Sequence, residues 1–119
     1  MKVVDLTQMG SEFGARWGTE TSDLNATLVA WPLGSGVAEH VNDEEDVIMV
    51  VITGEVRVEG DGDTHDLRAH HLLTIPKGAR RRVEVLSDQA VYLNAHRRRT
   101  LGLKSTQSYR NRSTPDKNV

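Results

Sequence analysis

Val47-Ile48-Met49-Val50-Val51-Ile52-Thr53-Gly54-Glu55-Val56-Arg57-Val58-Glu59-Gly60-Asp61-Gly62-Asp63 reads as two strands and two turns in one run. Residues 47–52 are continuously apolar and mostly β-branched, the pattern of a strand covered on both faces. Residues 55–59 alternate strictly, as a strand with one buried face does, and Gly60–Asp63 has turn chemistry. Working toward the C-terminus, Thr64-His65-Asp66-Leu67 begins a strand and Leu72-Leu73-Thr74-Ile75 follows a turn at Ala69-His70. Arg82–Leu86 and Ala90–Ala95 form a hairpin around Ser87-Asp88. Toward the N-terminus, Leu24–Trp31 alternates until Pro32 and the turn Leu33-Gly34-Ser35-Gly36 stop it. The first twenty residues are Gly-punctuated and read as one or two short strands. Short strands spaced about 8–12 residues apart, with no long helical period, argue for an all-β antiparallel sandwich or barrel.

The chain of 119 residues fits one domain, read as 1–103 with its core at 24–96. Residues 104–119 are polar and are expected to form a flexible tail. No apolar run reaches the ~20 residues of a membrane helix, so no membrane partner is expected. The N-terminus lacks a signal-peptide layout, so the expected compartment is the cytoplasm. The absence of cysteine excludes disulfides, thiolate nucleophiles and Cys-based zinc or iron–sulfur sites. No Gly-x-Ser-x-Gly elbow, P-loop or dinucleotide fingerprint is present, which removes serine-hydrolase, nucleotide-binding and Rossmann readings.

The net charge of −2 conceals a split. Residues 1–76 carry 4 basic and 14 acidic side chains; residues 77–119 carry 11 and 3. Either the basic part serves an acidic partner, or the halves neutralise each other within the fold or across a dimer. Arg97-Arg98-Arg99, Arg110 and Arg112 come with no recognition-helix pattern, and five aromatics give few surfaces for bases to stack on. Mutual neutralisation is the expectation, and nucleic acid is not an expected partner.

Two patches resemble the signature motifs of the cupin superfamily. In the first, Gly36 precedes His40, Asn42 stands where the family's second histidine falls, and Gly54 closes the next strand. Counting back from Gly54 places the family's glutamate at Val47, with Asp46 one residue away. In the second, Ile75-Pro76-Lys77-Gly78 matches, His70 replaces the opening glycine, and Arg81 takes the place of the metal histidine. The resemblance covers roughly residues 24–96. It implies an antiparallel double-sheet jelly-roll barrel of about 8–10 strands holding a metal or a small ligand, and also a homodimer.

The substitutions alter the chemistry. Residues i and i+2 of a strand face the same side, so His-x-His aims two rings at one ion. His40 and Asn42 keep that spacing, but an amide is a poor ligand for soft transition metals. Parity puts Arg81 on one face with Val83 and Val85, which points it inward; the alternative is solvation within Arg80-Arg81-Arg82. An inward guanidinium cannot ligate a cation but grips carboxylate or phosphate through two parallel hydrogen bonds.

The other candidates are read as follows. Asp43-Glu44-Glu45-Asp46 is expected to be a solvated acidic loop, lacking the spaced ~6–8 oxygens of a calcium site. The neighbours His70 and His71 point to opposite faces and cannot easily chelate one ion; the cupin resemblance implies that they and His65 lie at the barrel end away from the pocket, so all three read as structural or surface residues. On the last strand the apolar pair Leu93 and Ala95 is the expected core face, which makes His96, with Tyr92 and Asn94, the lesser candidate for acid/base work. The reading is a cupin-like barrel with no assigned specific activity. It binds a small polar or anionic molecule through His40, Asn42 and Arg81, without a cofactor or a complete metal site. The alternative is a metal-dependent oxygenase or isomerase holding a divalent ion with His40, Asp46 and His96.

Overall fold

The structure is a computed structural model and describes residues 1–98. The tail 104–119 and residues Arg99, Arg110 and Arg112 lie outside the described residues. A single 3-10 turn (Leu6–Gln8) precedes nine strands: β1 (Gly14–Glu20), β2 (Leu24–Pro32), β3 (Gly36–Val41), β4 (Val47–Thr53), β5 (Glu55–Gly60), β6 (Thr64–Arg68), β7 (Leu72–Ile75), β8 (Arg80–Val85) and β9 (Gln89–Arg97). They form two antiparallel sheets, one ordered β1-β2-β9-β4-β7 and the other β3-β8-β5-β6. This is the all-β double-sheet jelly roll expected from the alternation of short strands with Gly and Asp turns.

The inner faces meet in one core of Val29, Trp31, Val37, Val47, Met49, Val51, Val56, Val58, Leu67, Ile75, Val83, Val85, Ala90 and Tyr92. Strand parity accounts for its membership, since side chains alternate across each sheet. In β5, Val56 and Val58 are buried while Glu55, Arg57 and Glu59 face outward. Trp31 and Tyr92 are members of this core with polar atoms, and the Trp31 Nε1–H finds its acceptor in the Tyr92 hydroxyl at 3.0 Å. Burial pushes the Tyr92 phenol well above its ordinary pKa, so it stays neutral. Tyr92→Phe leaves the buried indole N–H without its acceptor. We expect a loss of about 1–3 kcal/mol, read as a lower urea midpoint at unchanged slope. An unchanged midpoint would show that the indole N–H finds another acceptor.

Two sequence expectations are corrected here. Strand β4 is not covered on both faces: Val47, Met49 and Val51 are buried, but Ile48 is 44% exposed and Val50 and Ile52 are half-buried. The reason is the limited reach of the N-terminal segment on the outer face. Leu6, Met9 and Trp17 pack there with Ile52 and Leu93 against Leu28, Ala30 and Val91, and leave Ile48 uncovered. On β9 the polar residues, not Leu93 and Ala95, face inward: Tyr92, Asn94 and His96 are 0%, 1% and 9% exposed. Register forces this. Val47, Met49 and Val51 of β4 sit opposite His96, Asn94 and Tyr92, and paired residues share a face.

Part of the charge split is neutralised among the described residues. Arg80 contacts Glu39 at 3.0 Å and Asp61 at 3.8 Å, Arg82 contacts Glu59 at 4.0 Å, and Arg98 reaches Glu20 at 3.2 Å. These are mostly exposed pairs of small energetic weight, but they place basic residues of the second part against acids of the first.

Candidate functional site

One end of the barrel interior is apolar and the other is polar. Along β9 the inward side chains run Tyr92, Asn94, His96, and on β2 opposite them Val29, Thr27 and Asn25. Toward the same end Glu45 joins the interior, 4% exposed. The acidic cluster is therefore not uniformly solvated. Glu45 continues the inward parity of Val47, Met49 and Val51, a two-residue spacing visible in the sequence but obscured by the three acids around it.

Asn42 organises this loop. Its Oδ1 accepts from the backbone N–H groups of Glu44 at 2.9 Å and Glu45 at 3.2 Å, and its Nδ2 donates to Glu45 Oε1 at 3.4 Å. Glu45 Oε1 in turn lies 3.7 Å from His96 Nδ1. His96 Nδ1 is also 2.8 Å from the carbonyl of Arg97. A carbonyl only accepts, so Nδ1 carries the hydrogen and Nε2 is the basic nitrogen of the neutral ring. Glu45 and His96 border a cavity of about 360 Å³, together with Lys77. The pair is chemically able to hold or pass a proton.

The inward placement of Arg81 follows from β8. Arg80 and Arg82 are more than half exposed along their side chains, whereas Arg81 is 3% exposed on the face of Val83 and Val85. Its alternative reading as a solvated arginine is excluded. On β3, Val37 pairs with Val83 and His40 with Arg81, so a bulge accommodates the extra residue between them. The bulge returns His40 to the face of Arg81. The His40 Nδ1–H donates to the Ala38 carbonyl at 3.0 Å. On the other side Arg81 pairs with Gly60 of β5, the one inward position of that strand without a side chain.

Arg81 borders a cavity of about 440 Å³ between β5, β6, β7 and the Pro76–Arg80 turn. Its Nε is buried without a hydrogen-bond partner, and no carboxylate among the described residues forms an ion pair with it. Burial holds the guanidinium below its ordinary pKa. His65, read as remote from the pocket, borders this cavity from β6. His70 and His71 lie in the exposed turn before β7, where the Arg68 N–H donates to His71 Nδ1 at 3.0 Å.

A metal of the kind the cupin motifs imply does not fit these residues. Asp46 is exposed at the cavity that Glu45 and His96 border, and its Oδ1 is engaged by the Lys77 N–H at 2.8 Å. Among the described residues no three His, Cys, Asp or Glu side chains converge on a point an ion could occupy. The inward position that would supply a further ligand holds the Arg81 cation. No described helix is long and apolar enough to cross a membrane.

No family model and no curated protein matches the chain. Solved structures do. KdgF from Halomonas sp. shares 22% identity at a TM-score of 0.65, over 69% of this chain and 74% of that one. A cupin-2 domain protein from Shewanella frigidimarina shares 19% at 0.60, over 67% and 76%. A protein with a double-stranded β-helix domain from Klebsiella pneumoniae shares 16% at 0.68, over 82% and 90%. Together with the sheet order and the glycines at the strand corners, these likenesses establish that the chain has the cupin fold, a double-stranded β-helix barrel.

Proposed function

We propose that the barrel binds a small anionic molecule, with Arg81 receiving its negative charge, His40 beside Arg81 on the neighbouring strand, and Asn42 holding the adjoining loop. The observation that carries this reading is the buried guanidinium of Arg81, which faces a cavity and has no anionic partner among the described side chains. A lone buried charge is costly unless something neutralises it, and a bidentate carboxylate or phosphate does so with matched geometry. The cavity volume of about 440 Å³ suits a small ligand.

The test is a melting-temperature screen of small carboxylates and phosphates, repeated on Arg81→Met. A ligand at 100 times its Kd adds about 2.7 kcal/mol of stability, and that shift is expected to vanish in the variant. A shift of equal size in Arg81→Met would end the proposal. So would a rise produced by Mn, Fe, Ni or Zn on chelator-treated protein and lost in His40→Ala, which would favour a metal-dependent enzyme.

A further inference from the structure

We infer that the Arg81 cavity takes a monoanionic carboxylic acid with a compact apolar body, in preference to a phosphate or a dicarboxylate; this rests on the reading of Arg81 as an anion receptor. Three observations converge. The first is charge. One buried guanidinium supplies a single positive charge and a two-pronged donor fork, which one carboxylate matches in both charge and geometry. A dianion would bring a second negative charge that the single guanidinium does not neutralise.

The second observation is the lining. Val58, Leu73, Ile75, Pro76 and Ala79 line the cavity that Arg81 borders, and Gly60, paired with Arg81, adds no side chain to it. Gly60 is kept as glycine by its neighbour strand, since a Cβ there would lie 2.9 Å from the Arg80 carbonyl oxygen. Such a wall stabilises an apolar body by removing it from water.

The third observation is the rim. Asp61 and Asp63 are exposed at the cavity and repel any charge carried beyond the one Arg81 neutralises. Arg80 is already engaged by Glu39 and Asp61. Lys77, the remaining cation on the lining, is exposed to water, which screens its charge. The lining acids therefore oppose a second negative charge, while Arg81, the buried lining cation with no ion pair among the described residues, receives the first.

The experiment is calorimetric titration of the full chain at low ionic strength with benzoate, butyrate, benzamide, inorganic phosphate, glycerol 3-phosphate and succinate. Benzoate and butyrate are expected to bind at least about tenfold more tightly than phosphate, glycerol 3-phosphate or succinate, and the neutral benzamide not measurably. Arg81→Lys, which keeps the charge but loses the fork, is expected to weaken benzoate by about tenfold or more, and Arg81→Met to abolish it. Phosphate or succinate binding as tightly as benzoate, and lost in Arg81→Met, would overturn this inference and leave the anion-binding reading standing. Absence of any Arg81-dependent anion binding would overturn both.

Discussion

Arg81→Met is expected to melt at a higher temperature than the native chain, by several degrees, in the absence of ligand. A flexible apolar side chain of similar length fills the space of the guanidinium stem and removes a buried charge with no ion-pair partner among the described residues. Exchanging buried charged groups for well-packed apolar ones is often neutral or stabilising by about 1–4 kcal/mol. In a domain near 100 residues each kcal/mol moves Tm by roughly 4–8 °C. Arg81→Ala separates the two contributions, since it removes the charge and also the packing of the stem; it is expected to melt below Arg81→Met. The informative result is a more stable protein that no longer responds to anions, because a residue kept for folding alone would not behave so. A fall in Tm for Arg81→Met would mean that the guanidinium makes net favourable contacts in the free barrel.

Gly54→Ala is expected to lose about 2–5 kcal/mol, summing the cost of a left-handed residue with that of overpacking. Gly54 joins β4 of one sheet to β5 of the other at φ +82°, and an added Cβ would lie 2.2 Å from the Gln89 carbonyl oxygen and 2.8 Å from Ala90 Cα. Neither backbone atom can withdraw cheaply. Ser87 Oγ donates to the same Gln89 carbonyl at 2.7 Å and accepts from the Glu55 N–H at 2.9 Å, and the Leu86 N–H bonds the Glu55 carbonyl at 2.9 Å. Gly62 is the control. It has the same φ of +82° but nothing within 4 Å of its Cβ position, so Gly62→Ala carries only the conformational cost of about 1–2 kcal/mol. Urea midpoints of the two variants decide the matter: equal losses would show that handedness, not the close approach of the β8–β9 hairpin, makes glycine necessary at 54. Gly36 belongs to the same class, since a Cβ there would meet the Val83 carbonyl oxygen at 2.1 Å.

These glycines explain why the fold was legible. Gly36 and Gly54 are motif positions in the sequence and steric necessities in the barrel, and period-two alternation located most strands within a few residues. Arg81 was legible for a related reason: it lies two residues from Val83 within a strand of clear parity, and parity survives any detail of packing.

What failed was any inference that needed to know a neighbour. The inward face of β9 could not be chosen from Tyr92-Leu93-Asn94-Ala95-His96, because its hydrophobicity is nearly balanced. Pairing with Val47, Met49 and Val51 decided it, carrying His96 inside against the apolar-face expectation. Glu45 was hidden among three other acids until its contacts with Asn42 and His96 distinguished it. The outer face of β4 looked like a buried face because composition records hydrophobicity but not whether another element reaches far enough to cover it.

The sequence by itself thus determined the alternating strands, the corners that must be glycine, and the inward parity of the cationic Arg81, all properties of local chain geometry or residue chemistry. Only the tertiary structure decided which face of β9 turns inward, that Glu45 meets His96, and that Arg81 borders a cavity with no carboxylate among the described residues to pair it. Those facts depend on register and on distances between residues far apart in the chain, and no local pattern encodes them.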